Sequence, residues 1–266
     1  MFTNKYIKQN FTLLWIILLI LVILLLCLIN KICNSDTSLN YYIYDSNKSG
    51  NTIAIIGGTH GNEPIGSIVI RDLIDKLNKK EIILKSGKLI LIPDVNYCAL
   101  RTGIRMIPGI GDLNRKYPKV IHENSKCPIT NKILNVIHNA DFVLDFHEGW
   151  GFHRLNKKSM GSSITPTDTK LSNELANYLY NKINLTITEP TKKFIIFVND
   201  NRYIKNPQKY SQLNDIKGSL RYFQNINKKN YILIEITGQN NVQTLDIRMS
   251  QATLLLNSTL TYFNII

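Results

Sequence analysis

The chain has 266 residues and a formal net charge of +13, and 44% of its residues are hydrophobic. This apolar content supports a sizeable packed core and argues against a wholly disordered chain. The basic residues are scattered in short clusters and form no recognisable nucleic-acid motif, so we expect no nucleic-acid partner.

A long apolar stretch without charge runs from Phe11 to Ile29 near the N-terminus. At about 1.5 Å per residue it spans roughly 28 Å as a helix, which matches the hydrocarbon core of a bilayer. We predict that residues 11–30 form a single-pass signal anchor. A cleaved signal peptide is the alternative, but the apolar region is long for one and no small-x-small cleavage site follows it.

The flanking lysines predict the orientation of this anchor. Lys5 and Lys8 precede the apolar stretch, whereas only Lys31 follows it closely. The positive-inside rule then makes residues 1–10 a short cytoplasmic N-terminus and leaves the rest of the chain on the non-cytoplasmic side.

Residues 31–50 read as a polar linker that contains one short strand candidate, Tyr41 to Tyr44, and residues 51–266 form the predicted folded domain. Within that domain apolar strand-like runs alternate with helix-like patterns, which is typical of an α/β layered sheet. The strand-like runs are Thr52–Ile56, Lys88–Pro93, Phe142–Phe146, Lys193–Val198 and Tyr231–Ile236. The helix-like runs are Pro64–Leu77, Asn131–His138, Asp168–Ile183 and Thr244–Phe263.

Two strand-like runs end in side chains that bind metals. His60 and Glu63 follow the first run in a glycine-rich turn, and His147 ends the third run. Two imidazoles and one carboxylate form the ligand set of a catalytic zinc site, with a fourth position left for water. The pair His60 and Glu63 alone is also compatible with a polar loop before a helix. His153 is an alternative ligand, and Asp145 is a candidate to orient a ligand histidine.

Glu235 lies in the apolar run Tyr231 to Ile236. Burial of a carboxylate is costly unless it is paired or functional, and partial burial would raise its pKa toward the range of a general base. The alternative is an edge-strand glutamate that faces water.

Three further polar residues follow the second strand-like run: Arg105, Asn114 and Arg115. One guanidinium can stabilise the oxyanion of amide hydrolysis, and a second guanidinium with an amide can hold a substrate carboxylate.

These motifs resemble those of the zinc carboxypeptidase superfamily, and most closely its succinylglutamate desuccinylase/aspartoacylase branch. The motifs that carry the resemblance are Gly57 to Glu63, Asp112 to Arg115, Asp145 to His147, and Ile234-Glu235. The resemblance implies a three-layer α/β/α domain with a mixed, mostly parallel twisted sheet, here preceded by one N-terminal transmembrane helix.

The same resemblance implies one zinc ion per chain and a role for each site residue. Zinc would be bound by His60, Glu63 and His147, with Glu235 as the general base and acid. Arg105 would polarise the carbonyl, while Asn114 and Arg115 would hold a substrate carboxylate. The assignment of Arg105 rests only on its position ten residues before Arg115.

The sequence departs from this branch in three places. Asn96 is followed by Tyr97, where the family often has proline. The segment Glu148 to His153 is unlike the small polar residues that follow the ligand in aspartoacylases. Only about thirty residues follow Glu235, too few for the C-terminal β-domain of aspartoacylases. The short C-terminal part favours a peptidase that trims exposed peptides over a deacylase of N-acyl amino acids, which stays the alternative. An extra pocket arginine, from Arg154, Arg202 or Arg221, would help to separate these two activities.

Two non-enzymatic alternatives are a membrane-tethered binding protein on the same scaffold and a basic surface-binding module. The first is disfavoured because the three ligands and the acid are all present, and only the net charge favours the second. If the domain is exported, Cys98 and Cys127 are a candidate disulfide pair.

Overall fold

A computed structural model describes residues 3–35, 39–106, 110–121, 123–198, 210–212 and 216–266. Arg202, one of the three arginines considered above, lies outside these residues. The first helix, α1, spans Thr3–Ser35. It contains the segment Phe11–Leu28, which is long and apolar enough to cross a membrane and whose side chains are exposed. Length and composition do not separate a membrane anchor from a signal sequence.

Eight strands form one mixed sheet in the described part of the chain. Their order across the sheet is β1-β3-β2-β4-β8-β5-β6-β7. The strands are β1 (Tyr42–Asp45), β2 (Thr52–Ile56), β3 (Lys88–Ile92), β4 (Phe142–Gly149), β5 (Ser163–Pro166), β6 (Ile195–Val198), β7 (Tyr210–Gln212) and β8 (Tyr231–Thr237). β1 pairs antiparallel with β3, and β5 pairs antiparallel with β8, while the other neighbours are parallel.

Six helices follow α1 in the described residues. They are α2 (Ile65–Asn78), α3 (Tyr97–Thr102), α4 (Pro128–Val136), α5 (Lys170–Leu185), α6 (Leu220–Ile226) and α7 (Leu245–Tyr262). The apolar faces of α2, α5 and α7 pack on one face of the sheet, against residues such as Ile53 and Ile55. α4 and α6 cover the other face through Ile133 and Leu220. The predicted three-layer α/β/α fold with a mostly parallel sheet is therefore confirmed.

The strand runs expected from the sequence form five of the eight strands, and the candidate at Tyr41 to Tyr44 becomes β1. Because β1 pairs with β3, part of the segment predicted to be a linker belongs to the sheet. The short elements β5, β7, α3 and α6 were not predicted. Cys127 is a free cysteine, so it does not pair with Cys98.

The sheet places the ends of β2, β4 and β8 side by side because these three strands are adjacent and parallel. Side chains alternate between the two faces of a strand. Val143 and Tyr231 belong to the core under α4 and α6, so His147 on β4 and Glu235 on β8 lie on this same face. The carboxyl ends of parallel strands are the usual location of a ligand site.

Candidate metal centre and active site

The turn between β2 and α2 carries the first two candidate ligands. Gly58 has a φ of 70°, a left-handed conformation that favours glycine. A Cβ on Gly61 would lie 1.9 Å from the carbonyl oxygen of Ala99, so only glycine allows this close approach. The tight turn brings His60 and Glu63 to the end of β2, directly before α2.

His60, Glu63 and His147 form a buried cluster whose ligand atoms lie within 4.8 Å of one another. The Nδ1 atom of His60 is 2.9 Å from Oε1 of Glu63, and the Nδ1 atom of His147 is 2.8 Å from Oε2. Both imidazoles thus present the same ring nitrogen to one carboxylate. The sequence-predicted ligands are brought together from the turn after β2 and from β4.

The outer ring nitrogens of both histidines face aspartates. Nε2 of His60 lies 3.0 Å from Oδ1 of Asp112, and Nε2 of His147 lies 3.5 Å from Oδ2 of Asp145. The hydroxyl of Tyr231 donates a hydrogen bond of 2.8 Å to the same oxygen of Asp145. Carboxylates behind metal-binding histidines set the tautomer and the ring orientation, and both histidines have this arrangement.

The residues present fit a zinc ion. Nδ1 of His60 is buried and makes no hydrogen bond, although it lies close to Glu63. A buried ring nitrogen without a hydrogen bond, next to a second imidazole and a carboxylate, is a donor set suited to zinc. The alternative ligand His153 is not in the cluster, since its Nδ1 donates to the carbonyl of Ser159 at 2.7 Å.

The buried charges of the cluster shift one another's pKa values. Burial acts to raise the pKa of Glu63, but the adjacent imidazoles of His147 and His60 prevail and lower it. Burial acts to lower the pKa of His147, but the carboxylates of Asp145 and Glu63 prevail and raise it well above the usual range. The surrounding field therefore favours positive charge between these carboxylates, as a cation site requires.

Glu235 is next to the ligand cluster. It pairs in register with His147 across β4 and β8, and its side chain is enclosed by protein except for a partial opening to the pocket. Burial and the charge of Glu63 raise the pKa of Glu235 to about 8, against the opposing effects of His147 and Arg105. A carboxylate with a pKa near neutrality is suited to accept and return a proton.

Arg105 is bonded to the cluster rather than directed only into the pocket. Its Nη1 donates to Oε1 of Glu63 at 2.7 Å, and its Nη2 lies 3.3 Å from Oδ2 of Asp112. With 39% of its side chain exposed, Arg105 also reaches the pocket surface.

Asn114 and Arg115 lie in a 3-10 turn capped by the side chain of Asp112. The side-chain oxygen of Asn114 accepts a hydrogen bond of 3.0 Å from the backbone N–H of Leu220, at the start of α6. Arg115 is exposed, and its Nη1 donates to the carbonyl of Asn114 at 2.6 Å.

All seven site residues predicted from the sequence line one pocket of about 200 Å³. They are His60, Glu63, Arg105, Asn114, Arg115, His147 and Glu235. Arg221, which is buried, also lines this pocket and donates from Nη2 to the carbonyl of Pro166 at 2.6 Å. Arg154 does not line it and instead donates to the carbonyls of Lys193 and Phe194.

Trp150 and Gln239 are among the pocket residues that the sequence did not indicate. Trp150 belongs to the segment Glu148 to His153 that departs from the family, and its large aromatic side chain is exposed at the pocket. Gln239 follows β8 in a polar turn, where a glutamine carries no sequence signal of its own.

The fold and the site define an α/β domain with a buried His-Glu-His cluster and an adjacent carboxylic acid at the ends of parallel strands. Residues 49–162 match the family model described as the succinylglutamate desuccinylase/aspartoacylase catalytic domain. This match confirms the resemblance to that branch of the zinc carboxypeptidase superfamily.

Known proteins are similar to parts of this chain. The N-alpha-acetyl-L-2,4-diaminobutyric acid deacetylase of Halomonas elongata is 30% identical over 106 residues, which cover 38% of this chain and 29% of that protein. The product-bound structure of the cell shape determinant protein Csd4 from Helicobacter pylori has a TM-score of 0.66 and 19% identity, and the match covers 86% of this chain and 56% of that one. A succinylglutamate desuccinylase from Silicibacter sp. TM1040 has a TM-score of 0.57 and 19% identity, with coverage of 86% and 61%.

These matches support the fold over most of the described domain. The chain spans less than two thirds of the length of each of these proteins. Structures of Csd4 with a bound tripeptide and with bound mDAP are also similar, and Csd4 is a D,L-carboxypeptidase.

Proposed function

We propose that this protein is a membrane-anchored, zinc-dependent hydrolase that cleaves an amide bond. One zinc ion per chain would be held by His60, Glu63 and His147. The observation that carries this proposal is the convergence of both Nδ1 atoms on the carboxylate of Glu63, directly beside Glu235. The family match over residues 49–162 supports the same class of reaction.

A bound zinc ion supplies Lewis acidity, which lowers the pKa of a water molecule and polarises the substrate carbonyl. Glu235 then accepts the proton of the attacking water and returns it to the nitrogen of the leaving amine. Its raised pKa favours both transfers near neutral pH. The partial opening of Glu235 to the pocket gives its carboxylate access to the substrate.

The basic residues of the pocket bind the substrate. Arg105 reaches the pocket from the edge of the metal cluster and stabilises the negative charge that develops on the carbonyl oxygen. Asn114 and Arg115 hold a carboxylate of the substrate, and the buried Arg221 adds a further positive charge to the wall. The substrate is therefore a peptide or small molecule with at least one carboxylate.

Within this chemistry we place a carboxypeptidase or amidase first and an N-acyl amino acid deacylase second. The similarity to Csd4, described as a D,L-carboxypeptidase, supports the first. The similarity to a deacetylase supports the second. Arg221 is compatible with either, because both types of substrate carry a carboxylate.

We place the hydrolase domain on the non-cytoplasmic side of a membrane, with α1 as the anchor. The apolar segment Phe11–Leu28 and the lysines before it support this arrangement. Its test is the protease accessibility of the C-terminal end in sealed right-side-out vesicles, where digestion only after permeabilisation would contradict it.

The first experiment on the activity is the metal content of the full-length chain, purified without added metal. The variant His147→Ala removes a ligand, and His153→Ala is the matched control because His153 is a buried histidine outside the cluster. We expect about one zinc per chain in the wild type and in His153→Ala, and a loss in His147→Ala. Absence of metal from the wild type even after zinc is supplied would contradict the proposal.

The second experiment is a hydrolysis screen of short peptides and N-acyl amino acids with the zinc-loaded protein. Turnover that depends on His147 supports the hydrolase. Stable zinc binding without turnover of any amide substrate would instead favour the alternative function, a membrane-tethered binding protein on this scaffold.

A further inference from the structure

Gln239 lies in the turn that follows β8, one residue after Gly238. The backbone N–H of Gly238 donates to the carbonyl of Gly149 at 3.0 Å, so this turn is attached to the end of β4. Because β4 carries His147 and β8 carries Glu235, the turn is held at the junction of the two strands that build the site.

The side-chain amide of Gln239 is bonded on three sides. Its Nε2 donates to Oε1 of Glu63 at 3.1 Å and also to the carbonyl of Glu148. Its Oε1 accepts a hydrogen bond of 3.0 Å from Nδ2 of Asn62. If the amide were rotated by 180°, its oxygen would face two other acceptors, the carboxylate of Glu63 and the carbonyl of Glu148. These partners therefore determine that the amide nitrogen faces Glu63.

Glu63 therefore has two different donors on the same oxygen, Gln239 and Arg105. Arg105 is a cation with 39% of its side chain exposed, and an anionic substrate in the pocket would compete for it. Gln239 is neutral, so its hydrogen bond orients the carboxylate without cancelling the negative charge that attracts a metal ion. The two donors thus differ in what they do to Glu63.

We propose that Gln239 is a positioning residue that holds the carboxylate of Glu63 in its metal-binding orientation, which leaves Arg105 available to the substrate. This inference rests on the proposed zinc site. Gln239 acts through Glu63 and Asn62, and it is fixed by the turn that joins β8 to β4. Removal of its donor weakens metal binding even when the domain stays folded.

The test compares Gln239→Met with Gln243→Met in the full-length chain. Methionine has nearly the length and volume of glutamine but provides no amide donor. Gln243 is the matched control because it belongs to the same segment, is buried, and donates to the carbonyl of Thr237 at 2.7 Å without a contact to Glu63. Zinc affinity is measured by competition with a chelator, in the absence of substrate, together with the thermal midpoint.

We expect Gln239→Met to weaken zinc binding by about 10–100-fold. We expect Gln243→Met to lower the thermal midpoint while its zinc affinity stays within about threefold of the wild type. Equal zinc affinity in Gln239→Met and the wild type would overturn the inference. An equal loss of affinity in both variants would also overturn it, because the segment would then act only through folding. If the wild type itself binds no zinc, the proposed function fails instead.

Discussion

His147 and Glu235 are register partners on adjacent parallel strands, β4 and β8, and their side chains lie on the same face of the sheet. The candidate metal ligand and the candidate proton carrier are therefore fixed by backbone hydrogen bonds rather than by a flexible loop. A rigid sheet holds such groups within a narrow range of distances, which catalysis by positioned groups requires.

We predict that Glu235→Gln abolishes most of the turnover and keeps the zinc. Glutamine has the same shape as glutamate but cannot accept the proton of the attacking water, so kcat is expected to fall by about 10²–10⁴-fold. Metal content and kcat are measured on the same preparation. Glu174→Gln is the control, because Glu174 is an exposed glutamate on α5 that forms a surface ion pair with Lys170. Retention of wild-type turnover in Glu235→Gln would remove Glu235 from this role.

The raised pKa of Glu235 predicts a dependence of stability on pH in the metal-free protein. Its pKa is about 8 in the folded state, against 4.5 without the fold, so between these values the folded state binds more protons than the unfolded state. Stability from this group is therefore lost as the pH rises through that window. Glu235→Gln removes this pH dependence. The free energy of unfolding of the variant, relative to that of the wild type, is therefore expected to increase by roughly 1–3 kcal/mol between pH 5 and 8.5.

This dependence is measured as the difference in thermal midpoint between the chelator-treated wild type and Glu235→Gln at several pH values. The comparison cancels the contribution of other groups that the substitution does not touch. A difference that stays constant between pH 5 and 8.5 would show that Glu235 is ionised in the folded protein at neutral pH.

Asp145 is expected to support zinc binding through His147. Its Oδ2 lies 3.5 Å from Nε2 of His147 and accepts the hydrogen bond of Tyr231. Asp145→Asn preserves the shape and removes the charge, so we expect zinc affinity to fall by about 10–100-fold. Asp72→Asn, which breaks a surface ion pair with Lys76, is the control and should leave zinc affinity unchanged. Chelator competition measures both, and unchanged affinity in Asp145→Asn would contradict the assignment.

Arg221 is expected to contribute to binding of the substrate carboxylate. Arg221→Lys keeps a positive charge but removes the planar pair of donors, so KM for a carboxylate substrate should rise by roughly tenfold. KM for the same substrate with its carboxylate amidated should change much less. Arg154→Lys is the matched control, because Arg154 donates to two backbone carbonyls away from the pocket. An equal effect of Arg221→Lys on both substrates would indicate a structural role.

Much of the fold could be predicted because the longer elements have strong periodicity. α2 buries Ile65, Val69, Leu73 and Leu77 at helical spacing, and β2 is an apolar run of five residues. The sequence pattern failed for the short elements. β5 is the four-residue run Ser163–Pro166, which is buried only because it lies between β8 and β6. Its own sequence has no alternation to detect.

The sequence by itself determined the donor types of the site and where they follow strands: two histidines, one glutamate, a second glutamate in an apolar strand, and arginines after the second strand. Local spacing and residue chemistry are enough for that, because a ligand set depends on which atoms are available. Only the tertiary structure decided how close these residues lie to one another. Parallel pairing of β2, β4 and β8 brings residues far apart in the chain to one sheet edge.

The tertiary structure also decided which other residues take part. It excluded His153 from the cluster, placed Arg221 in the pocket and Arg154 outside it, and bonded Gln239 to Glu63. The physical reason is that side-chain direction and burial depend on packing between distant segments, whereas sequence spacing reports only neighbours along one strand or helix.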